Sequence, residues 1–305
     1  TLTIVVATKD VVMGAAQVIE IANARTPSSI VNASTVIVTS KDSRGKVIDG
    51  PTPMATDAIT AGAISGSPRF ETATDTPGFK DSATVSFTTA GQVQAGGFVQ
   101  LVMPDLSAGS ALQSEWGFEV PAVSYAAPTS GAPSAIAFFN ASARTLTVAT
   151  AGATMSQSSQ HVITITNVRT PSSIVGANQV RATTQDSAGR TIDTTTSMAT
   201  DAIAAGALVS AELDASTDTP GFLHEAIVTF TTAGQVQAGG KIVLVLPHLP
   251  DTGRGWRFQS PSVTFTAPLS GAPSASASFD SSLRTLTLTT ANATMAQATQ
   301  HAITI

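Results

Sequence analysis

Apolar and hydroxyl-bearing residues alternate with a period of two along much of the chain. Residues 83–88 read ATVSFT and residues 145–148 read TLTV, and the same alternation returns at residues 262–266 and 285–288. Strict alternation predicts β-strands with one buried face, and threonine suits the solvated face. Turn-forming segments such as DTPG at residues 75–78 and DSRG at residues 42–45 separate the strands. The pattern predicts an all-β fold with about eight strands in each repeat.

The pattern of strands and turns occurs more than twice. RTPSSIV at residues 25–31 recurs at residues 169–175, and FTTAGQVQAGG at residues 87–97 recurs at residues 230–240. Trp116 is matched by Trp256, and residues 1–21 match residues 145–165 and again residues 285–305. A fixed period of this kind is typical of tandem modules. We therefore expect modules of about 140–144 residues, in a segment taken from a longer array.

Three parts follow from where the period is divided. Residues 1–53 are predicted to be the closing strands of a preceding module, with strands near residues 2–7, 18–23 and 35–40. Residues 54–197 form a complete β-sandwich module, and residues 198–305 form a second module that lacks its final strand. The polar stretches 49–53 and 193–197 are interpreted as linkers. The alanine-rich segments 58–64 and 202–208 are interpreted as strands.

The alternation also predicts which side chains form the two cores. For the first module we expect Val85, Phe87, Leu101, Met103, Trp116, Phe118, Val123, Tyr125, Phe139, Leu146, Val148, Ile163 and Ile165. Their counterparts in the second module are Val228, Phe230, Leu244, Leu246, Trp256, Phe258, Val263, Phe265, Phe279, Leu286, Leu288, Ile303 and Ile305. The apolar character is kept at almost every pair, which predicts the same sandwich twice.

Composition narrows the range of partners. Charged residues make up 11% of the 305 residues and the net charge is −5, so a nucleic-acid partner is not expected. No apolar run approaches the ~18 residues of a membrane span. Cysteine is absent, which excludes disulfides, thiolate metal sites and cysteine nucleophiles.

Candidate chemistry is sparse. His161 and His301 share a face with core isoleucines and are interpreted as packed or rim histidines, each satisfied by one hydrogen bond. The aspartates of the turns, such as Asp42 and Asp186, are interpreted as Asx-turn residues. The alternative, calcium binding by aspartates between modules, is less favoured because calcium needs six or more oxygen ligands. No nucleophile elbow, phosphate-binding loop or carboxylate pair is recognisable. We expect no enzymatic activity, no metal and no cofactor.

Two kinds of surface position are singled out. Three Asn-x-Ser/Thr sequons make Asn32, Asn140 and Asn292 candidates for N-glycosylation, and residues 128–134 and 268–274 are candidates for O-linked sugar. The nearly continuous apolar run at residues 98–103 predicts a strand that is buried on both faces. Its outer face and the equivalent face of the second module are predicted to contact a neighbouring module through Phe98, Gln100, Val102, Lys241, Val243 and Val245.

Several short motifs resemble those of a known group of repeats. They are TPSS followed by AN, FTT with AGG before LVMP or LVLP, and RTLT. In these the chain resembles the tandem Ig-like repeats of very large secreted and surface proteins of algae, other protists and some bacteria. The resemblance covers nearly the whole chain. It implies Ig-like β-sandwich modules, an extracellular or cell-surface location, and a role in surface fibres, stalks or adhesive coats.

Two functions are therefore considered. The first is a structural extracellular protein whose modules stack into a filament, stalk or surface fibre, with copies of itself as partners and covalent glycans. The alternative is a cell-surface adhesin whose modules bind glycan or another surface. A filament is favoured because weakly charged, threonine-rich strand edges lack the charges that usually protect such edges, so that strand donation between neighbours would cover them.

Overall fold

The fold was analysed in a computed structural model, which describes residues 2–6, 13–106, 115–127, 134–194, 197–248, 255–268 and 274–305. Within these ranges the chain forms β-strands and no α-helix, so the all-β class is confirmed. The two segments considered for O-linked sugar lie outside the described residues except at their ends. The chain divides into two compact units, residues 1–27 with 31–59, and residues 28–30 with 60–305.

Twenty-one strands are described. They are β1 (Ser34–Lys41), β2 (Val47–Thr56), β3 (Gly62–Ala63), β4 (Ser65–Thr72), β5 (Lys80–Thr88), β6 (Phe98–Val102), β7 (Gly117–Phe118), β8 (Val123–Ala127), β9 (Ser134–Asn140), β10 (Thr145–Ala151), β11 (Gln160–Arg169), β12 (Gln179–Gln185), β13 (Thr191–Thr194), β14 (Met198–Thr200), β15 (Val209–Ala215), β16 (Ala226–Thr231), β17 (Lys241–Val245), β18 (Thr264–Ala267), β19 (Ser274–Asp280), β20 (Thr285–Ala291) and β21 (Gln300–Thr304).

The first module, β3 to β14, has two layers joined by one strand. In one layer β11 lies between β5 and the short strands β7 and β8, and β4 separates β5 from β14. In the other layer the order is β9, β10, β6, β12 and β13. Strand β12 pairs with β14 through Gln179 and Val180 and with β6 from Arg181 to Gln185. It therefore closes the sandwich by belonging to both layers.

The second module, β15 to β21, repeats these layers without the closing strands. One layer has the order β15, β16, β21 and β18, and the other has β17, β20 and β19. The strand registers are conserved: Leu146 opposes Leu101 in the first module, and Leu286 opposes Leu244 in the second. Among the described residues, β17 pairs with β20 alone and β15 pairs with β16 alone. Compared with the first module, each layer of the second module therefore has one further edge without a described partner strand, at β15 and at β17.

The core of the first module follows the predicted alternation closely. Its predicted members are buried, except that Val123, Tyr125 and Phe139 are half-buried at its margin. Phe70, which the alternation did not single out, packs edge-on against Trp116 with ring centroids 5.3 Å apart. The centre of this core therefore connects β4 to the segment before β7.

The core of the second module is less complete than predicted. Trp116 is 5% exposed, whereas Trp256 is 39% exposed. Leu213 stands at the position of Phe70, and it is half-buried where Phe70 is fully buried. The difference has a physical cause, because β4 is flanked by β14 while no described strand flanks the outer edge of β15. The alternation predicted that these side chains point inward. It did not predict their degree of burial, which depends on the neighbouring strand.

The N-terminal unit contains the antiparallel hairpin β1–β2. Its hairpin is the sequence equivalent of β12 to β14 of the first module. The strand predicted near residues 35–40 is confirmed, whereas those near residues 2–7 and 18–23 are not formed in the described residues. Their equivalents β10 and β11 are held between partner strands, and a strand without neighbours lacks hydrogen-bonded pairing.

The connection between the two modules differs from the predicted linker. Asp193 is fully buried in β13, and residues 198–200 form β14, which pairs in parallel with β4. Beyond β14, Asp201 forms a salt bridge with Arg69, and the Ala204 N–H donates to the Asp75 carbonyl over 2.8 Å. Of the alanine-rich segments, residues 62–63 form β3, whereas the segment at 202–208 makes only a bridge between Ile203 and Val175. The module boundaries at residues 53/54 and 197/198 stay predictions.

Unequal burial predicts unequal effects of truncation at equivalent core positions. Phe70→Ala should lower the free energy of unfolding of the first module by about 3–5 kcal/mol, because it leaves a cavity beside Trp116. Leu213→Ala should cost the second module about 1–2 kcal/mol, since its side chain is only half-buried. Urea unfolding followed by tryptophan fluorescence tests this, with Trp256→Phe or Trp116→Phe as background so that one module reports. Equal losses would contradict the open second core.

Candidate assembly surface

The closing strands of the first module are held by a buried carboxylate. The Thr184 hydroxyl donates to Asp193 Oδ2 over 2.9 Å, and the Gly91 N–H donates to Asp193 Oδ1 over 2.8 Å. A Cβ at Gly91 would lie 2.5 Å from the Ile192 side chain, and a Cβ at Gly62 would collide with Asp193. The absence of a side chain at Gly62 and Gly91 therefore allows the β12–β13 hairpin to pack closely against the rest of the module.

The predicted contact face on β6 and β17 has different exposure in the two modules. Phe98, Gln100 and Val102 are half-buried, because Gln185, Thr183 and Arg181 of β12 lie directly beside them. Their equivalents Lys241, Val243 and Val245 on β17 are exposed, Val245 by 70%. A strand of the same module therefore gives the cover seen on β6. Contact of this face with another module stays a prediction.

The N-terminal hairpin exposes the side chains that its equivalent buries. Met54 is 55% exposed, whereas Met198, at the same position of the repeat, is fully buried. The other exposed and buried pairs are Val36 and Val180, Val38 and Ala182, and Ile48 and Ile192. The internal bond is kept, since the Ser40 hydroxyl donates to Asp49 Oδ2 over 2.6 Å as Thr184 does to Asp193. The hairpin is preformed and presents an apolar face.

The two modules of the second unit contact each other through hydrogen bonds to main-chain groups of the first module. The side-chain amide of Gln297 accepts the Lys80 N–H over 2.6 Å and donates to the Lys80 carbonyl over 2.9 Å. The Gln235 N–H donates to the Gly78 carbonyl over 3.3 Å. These residues were not predicted from the sequence, because glutamine at a turn has many roles and the repeat does not show which copy it contacts.

The turn beside this junction occupies a recognisable place. Thr76 and Pro77 lie against Gly206 and Gly234, at distances where a Cβ on either glycine would clash. Gly206 and Gly234 are the sequence equivalents of Gly62 and Gly91. The closing hairpin of the first module lies against Gly62 and Gly91. At the equivalent glycines of the second module, the turn at Thr76–Pro77 takes that position.

Each module has one histidine buried among aromatic rings. The His161 ring lies 5.9 Å from Phe87 and the His301 ring 5.9 Å from Phe230, measured between ring centroids. Both histidines are 1% exposed, as expected of packed histidines. His161 Nε2 lies 3.4 Å from the Ser156 carbonyl oxygen, whereas neither ring nitrogen of His301 has a hydrogen-bond partner among the described residues, so the expected hydrogen bond is found at His161 alone. Burial lowers the pKa of both imidazoles below 6.5, and the facing carbonyls of Ser156 and Ala296 oppose this effect more weakly.

The remaining candidate positions are the sequon asparagines, which lie on the surface, and the turn aspartates, of which Asp42 is exposed and Asp186 is buried. Asn32, Asn140 and Asn292 are exposed, and the Asn292 amide donates to the Ser274 hydroxyl over 2.8 Å. Asp42 and Asp186 each accept backbone N–H groups two and four residues ahead, the arrangement expected of Asx turns. The described residues contain no group of three or more side chains able to hold a metal ion. They also contain no helix long and apolar enough to cross a membrane.

Comparisons with known proteins give little guidance. No family model and no curated protein matches the chain. Among solved structures, the chain is similar to the type II cohesin dyad from the adaptor ScaA scaffoldin of Acetivibrio cellulolyticus. The identity is 11% and the TM-score 0.23, over 79% of this chain and 84% of that one. A similarity at this level supports no conclusion about fold or function, so the all-β class rests on the strands of the chain itself.

Burial of the two histidines predicts a stability that depends on pH. Because their pKa values are lower in the folded state than the 6.5 of the free side chain, the unfolded chain binds protons first as the pH falls. Stability should therefore be full above pH 6.5 and decrease below it. His161→Gln and His301→Gln should each reduce this decrease, and glutamine already stands at the equivalent Gln17.

Thermal unfolding between about pH 7.5 and about pH 5 measures the effect. His248→Gln is the matched control, because His248 is exposed. A decrease in stability that is unchanged in both buried-histidine variants would contradict the assignment.

Proposed function

We propose that this chain is a structural extracellular protein whose modules join end to end into a filament, stalk or surface fibre. The observation that carries the proposal is the direct succession of the two modules. Beyond β14, the last strand of the first module, Asp201 forms a salt bridge with Arg69, and the Ala204 N–H donates to the Asp75 carbonyl. A connection whose described residues stay bonded to the first module as far as Ala204 suits a load-bearing array better than a set of independent binding domains.

Open strand edges supply a means of assembly. Unpaired N–H and C=O groups at the edge of a sheet pair readily with another chain, and natural proteins usually protect them with charge. Only 11% of this chain is charged, and of the outward residues of β17 only Lys241 carries a charge. The second module therefore presents an edge with little protection against a further strand.

A glycan-binding adhesin would present aromatic side chains on exposed loops. Phe222 is such a residue, 61% exposed and stacked on His224. Its equivalent Phe79 lies between Gly78 and Lys80, the two residues that contact the second module, and is less exposed. In the proposed array, Phe222 stands at the position of the repeat where a further module would contact the second module. Its exposure is therefore explained without a glycan. The structural function is preferred for this reason.

Assembly of the 305-residue chain tests the proposal. Electron microscopy and sedimentation over a concentration series should show elongated, unbranched oligomers that lengthen with concentration, since one module edge stays available at the end of each oligomer. A chain that stays monomeric at every concentration would contradict a filament. Binding of such a monomer to a glycan array would support the adhesin instead.

A further inference from the structure

We propose that, when copies of the 305-residue chain assemble, the β1–β2 hairpin of one copy closes the open edges at β15 and β17 of the second module of another copy. The inference rests on the proposed function, and it names the partner and the contact. In the first module, β12 to β14 cover β6 and β4. The second copy of the same sandwich leaves the equivalent edges of β17 and β15 without a described partner. The hairpin β1–β2 has the sequence positions of the strands that cover the equivalent edges in the first module.

Equivalence with the first module defines the register of this pairing. Arg181 opposes Val102 and Thr184 opposes Val99 in the antiparallel pair β12–β6. Transferred along the repeat, β1 runs antiparallel to β17 with Ile37 opposite Val245 and Ser40 opposite Ile242. In the other layer, Thr200 of β14 opposes Phe70 of β4 in a parallel pair. The corresponding contact places Thr56 of β2 opposite Leu213 of β15.

The two surfaces also match in polarity. Val36, Val38 and Met54 are exposed on the hairpin, while their buried equivalents contribute to the core of the first module. On the receiving side, Leu213 and Leu244 are half-buried, and Trp256 is exposed by 39%. Docking would remove apolar surface from water on both sides and pair the backbone groups of two edges. The hairpin and the strand edges are already formed, and the one contact that has to change is that of Thr76 and Pro77 with Gly206 and Gly234.

One existing contact has to yield. The equivalent of Asp193 in the hairpin is Asp49, which would approach Gly206 and Gly234 as Asp193 approaches Gly62 and Gly91. Thr76 and Pro77 hold that place in the separate chain. The donated hairpin therefore displaces this turn from the two glycines. The contact of the turn with Gly206 and Gly234 is thereby exchanged for a hairpin that pairs with the strand edges and buries its apolar face.

The contact is heterologous, because hairpin and open edge are different segments of the chain. Each copy offers one hairpin and receives one, so that successive copies add in the same direction. A heterologous contact that does not close into a ring produces an open fibre. The pairing therefore gives the filament a defined direction and one contact per subunit.

Cysteine crosslinking tests the register directly, since the natural chain contains no cysteine. A chain with both Ile37→Cys and Val245→Cys should form disulfide-linked multimers on mild oxidation. Residues directly opposite on antiparallel strands have Cα atoms about 4.5–5.5 Å apart, within the range of a disulfide. The matched control combines Ile37→Cys with Lys241→Cys, which is exposed on the same side of β17 and about 13 Å further along the strand. This control should give no ladder of multimers.

A charge placed in the contact provides a second test. Val38→Lys should weaken self-association about tenfold or more, because the lysine would be buried where Ala182 is buried in the first module. Thr35→Lys is the control, since both Thr35 and its equivalent Gln179 are exposed. Sedimentation measures the association, and circular dichroism verifies that both variants fold. Equal self-association of the two variants would overturn the proposal.

The outcomes separate this inference from the proposed function. Multimers linked through residues 37 and 245 support both. Filaments of the unmodified chain without that crosslink would overturn the hairpin contact and leave the filament. A crosslink confined to single chains would overturn a second copy as the partner. Absence of both filaments and crosslinks would overturn the proposed function as well.

Discussion

Strand β12 pairs with a strand of each layer of the first module, and the burial of that module depends on this double pairing. With β12 to β14 in place, Phe70, Trp116 and Leu101 are sealed between the layers. Without equivalent strands, the second module keeps the same registers and leaves Trp256 and the outer side of β17 exposed. Two copies of the same repeat thus differ in whether a hairpin covers the edges of the sandwich.

Glycine and aspartate explain how this hairpin fits against the first module. Gly62 and Gly91 leave room that a methyl group would fill, and the Asp193 carboxylate accepts an N–H there. The second module keeps both glycines, at Gly206 and Gly234, and the turn at Thr76–Pro77 lies against them. In the proposed assembly the hairpin of a second copy replaces this turn, and the two glycines leave room for it once the turn has moved.

The sequence was most informative where the rule is local. Alternation at β5, β10 and β16 predicted strands and inward side chains, since burial of one face requires a period of two. It did not predict the exposure of Trp256, which depends on a strand distant in the sequence. Nor did polarity reveal that Asp193 is buried, because its hydrogen bonds to Thr184 and Gly91 arise only in the folded module. The assembly surface required both copies of the fold to be compared.

Amide hydrogen exchange tests the central claim most directly, since it compares two equivalent strands within one chain. In dilute solution, amides of β17 should exchange much faster than those of β6, because β6 is flanked by β10 and β12 while β17 is flanked by β20 alone among the described strands. As the concentration rises, exchange in β17 and in the β1–β2 hairpin should slow together. Equal protection of β6 and β17 in dilute solution would contradict an open edge. Protection of β17 that does not depend on concentration would contradict its closure by a second copy.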